Sequence, residues 1–192
     1  MKTSHLAAIM GLLFAAPPVA AQYKSASEEL LTAVKEANSA KVVELVNSSG
    51  SAIINTRGYD GSTALTLAVK AKDSQFVDYL LTRGANPDMA GIGNEPPLVI
   101  AARLGWSEGV DHLLQMKARV DATNRQGETA LIVAVQARSV DAVRRLLQAG
   151  ANPDRADSSA GMSARDYAKR DARSRDILAL IQRARPAVVT KP

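Results

Sequence analysis

The sequence predicts an all-α solenoid of about five helix-turn-helix units with polar capping units at both ends. Three observations carry this. First, the apolar landmarks return every 33 residues: Leu65, Leu98 and Leu131, then Ala68, Ala101 and Ala134, then Val77, Val110 and Val143. The pairs Leu80-Leu81, Leu113-Leu114 and Leu146-Leu147 keep the same period, as do Asp88, Asp121 and Asp154. A fixed period of this length marks stacked supersecondary units sharing one continuous core. Second, each unit holds two short apolar stretches at helical spacing, too short to be stable alone in water, so neighbouring units must supply the stability. Third, 192 residues with 46% apolar and only 4% aromatic side chains provide a sizeable core and argue against a β-sandwich.

The elements follow in order. Lys2, the apolar run over residues 6–16 and the small residues Val19 and Ala21 have the layout of a secretory signal peptide over residues 1–21, cleaved near Ala21. The run is too short to span a bilayer comfortably, and Gln22 after the cut excludes a lipid-anchored cysteine there. The expected localisation is therefore periplasmic or secreted, with no stable membrane insertion. The repeat domain is expected over 22–185, with units at about 27–55, 58–90, 91–123, 124–156 and 157–185, and a disordered tail over 186–192.

The unit from Gly61 to Asp88 sets the pattern. Thr63 opens a first helix with Leu65 and Ala68 on its buried face; Asp73 or Ser74 caps a second helix carrying Phe76, Val77, Leu80 and Leu81. Gly84 follows the leucine pair where a helix commonly ends in a left-handed residue, and Asn86-Pro87-Asp88 is turn chemistry. Lys117 stands in the slot of Gly84 and Gly150. Upstream, Leu30, Ala33, Val42, Leu45 and Val46 repeat the pattern at an offset of 35, the two extra residues being expected in a loop over 48–52. Downstream, Ala168, Ile177, Leu180 and Ile181 repeat it at an offset of 34, with Arg165 in the leucine slot.

The stretches Gly61-Ser62-Thr63-Ala64-Leu65-Thr66 and Gly127-Glu128-Thr129-Ala130-Leu131-Ile132, followed by Val-x-x-Leu-Leu and Gly-Ala, resemble the ankyrin repeat. The family's histidine is replaced by Thr66, Val99 and Ile132, and its proline is present only at Pro97, which weakens the expected turn-to-helix hydrogen bonding. The resemblance implies a protein-binding scaffold that uses turn tips and the exposed side of the first helices, lining a concave groove.

Catalytic chemistry finds little support. The chain has no cysteine, and His112 is the single histidine left after removal of the leader, so neither a thiolate site nor a serine triad can be assembled with a partner histidine. A solvated position on the outer side of a second helix accounts for His112. Neither cofactor nor metal is implied, and the expectation is a protein that is not an enzyme. The net charge of +5 is mild and does not imply nucleic acid. Trp106, the sole tryptophan, is either an interface anchor or packed over the start of its own helix pair.

The expected contact surface has two parts. The tips supply Tyr59, Asp60 and Ser62, then Ile92 and Glu95, then Arg125, Gln126 and Glu128. A column at the ends of the first helices reads Lys35, Lys70, Arg103, Gln136 and Arg170, mostly basic, and points to a protein partner with an acidic face. The chain alone is expected to be a monomer. Two other roles fit the same features: an inhibitor or immunity protein for an envelope enzyme, and a module anchoring to an anionic surface through the basic column and the Arg-rich last unit.

Overall fold

The computed structural model describes residues 25–184; the expected export segment and the tail over 186–192 lie outside the described residues. Among the described residues ten α-helices form five successive pairs. The first helices are α1 (Ala26–Lys35), α3 (Ala64–Ala71), α5 (Pro97–Arg103), α7 (Ala130–Gln136) and α9 (Ala164–Arg170). The second helices are α2 (Ser39–Ser49), α4 (Ser74–Thr82), α6 (Ser107–Gln115), α8 (Val140–Gln148) and α10 (Arg175–Arg183). Among the described residues, β-type pairing is confined to isolated bridges at the turns, Thr123 with Thr129 and Ala156 with Ser163. No helix among them is long and apolar enough to cross a membrane.

The helices lie in two rows. α1, α3, α5, α7 and α9 pack in that order, and α4, α6, α8 and α10 form the second row. A first helix in the middle therefore has neighbours on both sides and its own partner behind it. That explains why Leu98–Ala102 of α5 and Ala130–Val135 of α7 are buried without a break, whereas α8 keeps one apolar stripe, Ala142, Val143 and Leu146, under a charged outer face. The end units follow the same logic with less to bury: α9 hides Ala164 and Ala168, and α10 hides Ile177 and Ile181. At the other end, the residues expected to form a loop over 48–52 instead complete α2 and enter a 3-10 turn, Ser51–Asn55, whose Ile53 and Ile54 are buried against α1, α2 and α3.

Local chemistry starts most of the helices, though α6, α8 and α10 have no side-chain cap. Thr63, Thr129 and Ser163 cap α3, α7 and α9 by accepting the N–H three residues on, and Asn38 and Asp73 do so for α2 and α4. Pro97 opens α5, where its missing N–H costs nothing. The expected weakening at Thr66 does not occur, because its Oγ1 accepts the Thr63 N–H at 3.0 Å and closes a capping box. Val99 and Ile132 have no side-chain group with which to do the same.

In the three central units both helices end in left-handed residues, as does the first helix of the first unit. After the second helices these are Gly84 (φ +93°), Lys117 (φ +65°) and Gly150 (φ +88°), each followed by a backbone N–H that reaches back to the first leucine of the pair. After the first helices they are Ala37, Lys72, Gly105 and Arg138, all with φ between +53° and +60°. Only Gly105 hints at that second series in the sequence.

Adjacent units are also hooked together by side chains. The Oδ1 atoms of Asn55, Asp88 and Asp121 accept the backbone N–H of Asn86, Arg119 and Asn152 at 2.7, 2.8 and 3.0 Å. Each bond spans 31 residues and ties one turn to the next. Asp154 is the next member of this series; it binds the side chain of Arg165 in α9 of the last unit, with Nε 2.6 Å from Oδ1.

Two outcomes follow for stability. Lys117→Gly removes the strain of a left-handed lysine and should raise stability by about 1 kcal/mol, read as a higher denaturation midpoint at unchanged slope. Asp121→Ala leaves the Asn152 N–H without its acceptor and should cost about 1–2 kcal/mol, while Asp121→Asn keeps an acceptor oxygen and should stay within about 0.5 kcal/mol of the parent, both measured by the same unfolding curves.

Candidate protein-binding groove

Tyr59, Ile92 and Arg125 occupy one slot on three successive turn tips, 33 residues apart. Tyr59 is 98% exposed and Ile92 45% exposed. Tip geometry holds them outward. The Ile92–Asn94 turn runs through Gly93 (φ +71°) and Asn94 (φ +59°), and the Tyr59 N–H is held by Glu28 at 3.3 Å. Neighbouring tips touch: a side chain at Gly61 would meet the Ile92 backbone, and the Ser158 N–H donates to the Gln126 carbonyl at 2.8 Å. Arg125 and the side chain of Gln126 are exposed.

Ser62 is a correction. It is 1% exposed, with its Oγ 2.5 Å and its N–H 2.8 Å from Asp60 Oδ1, so it braces the tip and presents nothing to a partner. Those hydrogen bonds, together with Lys35, lower the Asp60 carboxyl to a pKa of about 2.

The basic column is not a bare stripe. Lys35 Nζ lies 3.2 Å from Asp60, and Arg103 lies 2.8 Å from Glu95 and 3.5 Å from Glu128. Gln136 Nε2 donates to Glu128 Oε1 at 3.1 Å. The acids of the tips thus lean onto the ends of the first helices. Among the described residues Lys70 and Arg170 have no carboxylate within 4 Å, and Arg170 approaches only the Met162 sulfur at 3.8 Å. Within the column these two are the uncompensated cations; Arg125 on the third tip is exposed and, among the described residues, also without a paired carboxylate. A spacing of 25 residues, from Lys35 to Asp60 and from Arg103 to Glu128, carries this pairing and is readable in the sequence once the stacking is known.

Two hollows lie along the groove. One of about 260 Å³ brings together Ile92, Glu95, Arg103 and Gln126. A second of about 380 Å³ joins Gln136 and Arg170 with Tyr167, a residue the sequence reading missed. Tyr167 stands in the slot of Leu67, Ile100 and Val133, and its hydroxyl donates to Asp157 Oδ2 at 2.7 Å. Burial pushes the Asp157 carboxyl up, but bonds from the Ala160 N–H, the Tyr167 hydroxyl and Ser159 outweigh it and hold the carboxyl below its ordinary value.

The outer face has a different character. His112 sits between Asp78 at 2.6 Å and Glu108 at 3.6 Å, and Arg145 pairs with Asp111. Trp106 is 9% exposed, with its ring over Gly109 at the start of α6, so it packs on its own helix pair. Among the described residues no group of three His, Cys, Asp or Glu side chains is arranged to hold a metal ion.

A stack of short helix pairs with projecting turns defines a repeat scaffold that binds along an extended face. Residues 89–157 match the family model for ankyrin repeats in three copies, and residues 60–92 match the model for the single ankyrin repeat. The matches run through just over half of the chain, which belongs to the ankyrin-repeat family. Ankyrin repeats indicate a protein–protein interaction scaffold, and the family is typically non-enzymatic. No curated protein matches the chain significantly.

Proposed function

We propose that this is an exported ankyrin scaffold that binds one protein partner through the concave groove and the turn tips. The observation that carries the reading is the pair of apolar residues on successive tips, Tyr59 at 98% and Ile92 at 45% exposure, with Ile92 lining a hollow. Exposed aromatic and aliphatic side chains flanking a pocket are what an interface centre uses, with charged groups at its rim. Lys70 and Arg170 supply the attraction for an acidic patch on that partner, and the crossed pairs of Arg103 with Glu95 and Glu128 favour a surface that carries both signs. An inhibitor of an envelope enzyme would use this same face. Anchoring to an anionic surface is less well supported, since Arg165, Arg173 and Arg138 are already paired with Asp154 and Asp171. The signal-like start of the chain, with Lys2, the apolar run and Val19 and Ala21, supports export to the periplasm or beyond.

Replacing both tips, Tyr59→Ser with Ile92→Ser, should weaken capture of the partner from its own envelope fraction by about tenfold or more while the melting curve stays unchanged. Lys70→Glu with Arg170→Glu should slow association with little change in dissociation, whereas Arg144→Glu on the outer face of α8 should leave binding intact. Equal losses from the outer-face control would move the interface away from the groove. For export, fractionation of the producing cell should release a shortened chain on osmotic shock, and intact material starting at Met1 in the cytoplasm would overturn that reading.

A further inference from the structure

A hollow larger than either of the two along the groove lies outside it. It measures about 760 Å³ and is lined by the connectors that lead from each second helix to the next tip, contributed by four successive units. It shares no lining residue with the two groove hollows. Around the second tip, Glu95 lines the groove hollow, while Asn94 and Pro96 on either side of it line this trough.

Its charge is unbalanced. Three arginines, Arg57, Arg119 and Arg155, stand against two aspartates, Asp88 and Asp121. Both aspartates are already engaged: Asp88 accepts the Arg119 N–H and Nε at 2.8 and 3.0 Å, and Asp121 accepts the Asn152 N–H at 3.0 Å. Among the described residues neither Arg57 nor Arg155 has a carboxylate within 4 Å, and both are exposed. Arg119, although tied to Asp88 through Nε, keeps its side chain 74% exposed, so the other guanidinium N–H groups remain available. Met89 and Val120 add half-buried apolar surface between the cations.

We propose that this trough is a second binding site, for an extended acidic peptide segment laid across the connectors. The cations come from different connectors, with Arg57 and Arg155 three units apart at about 8–10 Å per unit. One small anion cannot reach all three guanidinium groups; a chain with carboxylates at intervals can, each one meeting an arginine in the paired geometry that guanidinium and carboxylate favour. The site does not depend on the groove reading.

The test uses the full chain and a fluorescently labelled peptide of alternating glutamate and alanine, followed by anisotropy. Binding should fade as salt rises, and Arg57→Glu with Arg155→Glu should weaken it by about tenfold or more, because these are the unpaired charges. Should that double variant lose its helical signal, the milder Arg155→Gln alone should still weaken binding measurably. The tip variant, Tyr59→Ser with Ile92→Ser, should bind the peptide as the parent does, and a lysine–alanine peptide should not bind. Absence of binding, equal affinity in both arginine variants, or loss in the tip variant would overturn the proposal. Displacement by succinate at matched carboxylate concentration would also overturn it, by showing that the trough takes single small anions.

Discussion

Helices of seven to eleven residues do not persist alone in water, and here each first helix is stabilised by burial against the corresponding helix of the units beside it. This contact between units comes before every other feature. It makes the buried runs of α5 and α7 apolar throughout, leaves the first helix of the last unit free to carry polar side chains, and places the turn tips in a row. The side-chain hooks from Asn55, Asp88 and Asp121 then fix how far one turn stands from the next. The groove is thus a by-product of stacking, and its chemistry lies in the few positions that stacking leaves free.

That division explains what could be read from the sequence. Positions that face the core must be apolar, so Leu65, Leu98 and Leu131 declared the period and the helix pairs with it. Glycine declares a left-handed end at Gly84 and Gly150, and Lys117 at the same slot adopts the same backbone. The matching ends at Ala37, Lys72 and Arg138 stayed hidden, because ordinary residues are held there by the packing around them. Asp154 shows a further limit: its slot says turn, but lack of a following hook sends it to Arg165.

The groove was legible by position and less so by environment. Tyr59 and Ile92 project as their slot implies, since a tip has nothing to bury them. Ser62 occupies a tip as well, yet its hydroxyl turns inward to Asp60. The column at the helix ends looked like one sign of charge because only the helices were being compared. Its partners, Asp60, Glu95 and Glu128, come from the tips, and a pairing between two different kinds of element has no signature in the periodicity of either.

The hooks have a consequence for how such a chain can change its length. Each joins residues 31 apart, inside a period of 33. Copying one whole period reproduces donor and acceptor together, so a duplicated cassette arrives with its own fastening and lengthens the stack without redesign. Loss of a single residue between Asp121 and Asn152 shifts the donor away from the acceptor and leaves both neighbours poorly joined. Gain and loss of whole cassettes is therefore the tolerated form of variation in the middle of this protein, while the last unit, whose Arg165 takes up Asp154 in place of a backbone hook, acts as a fixed terminator.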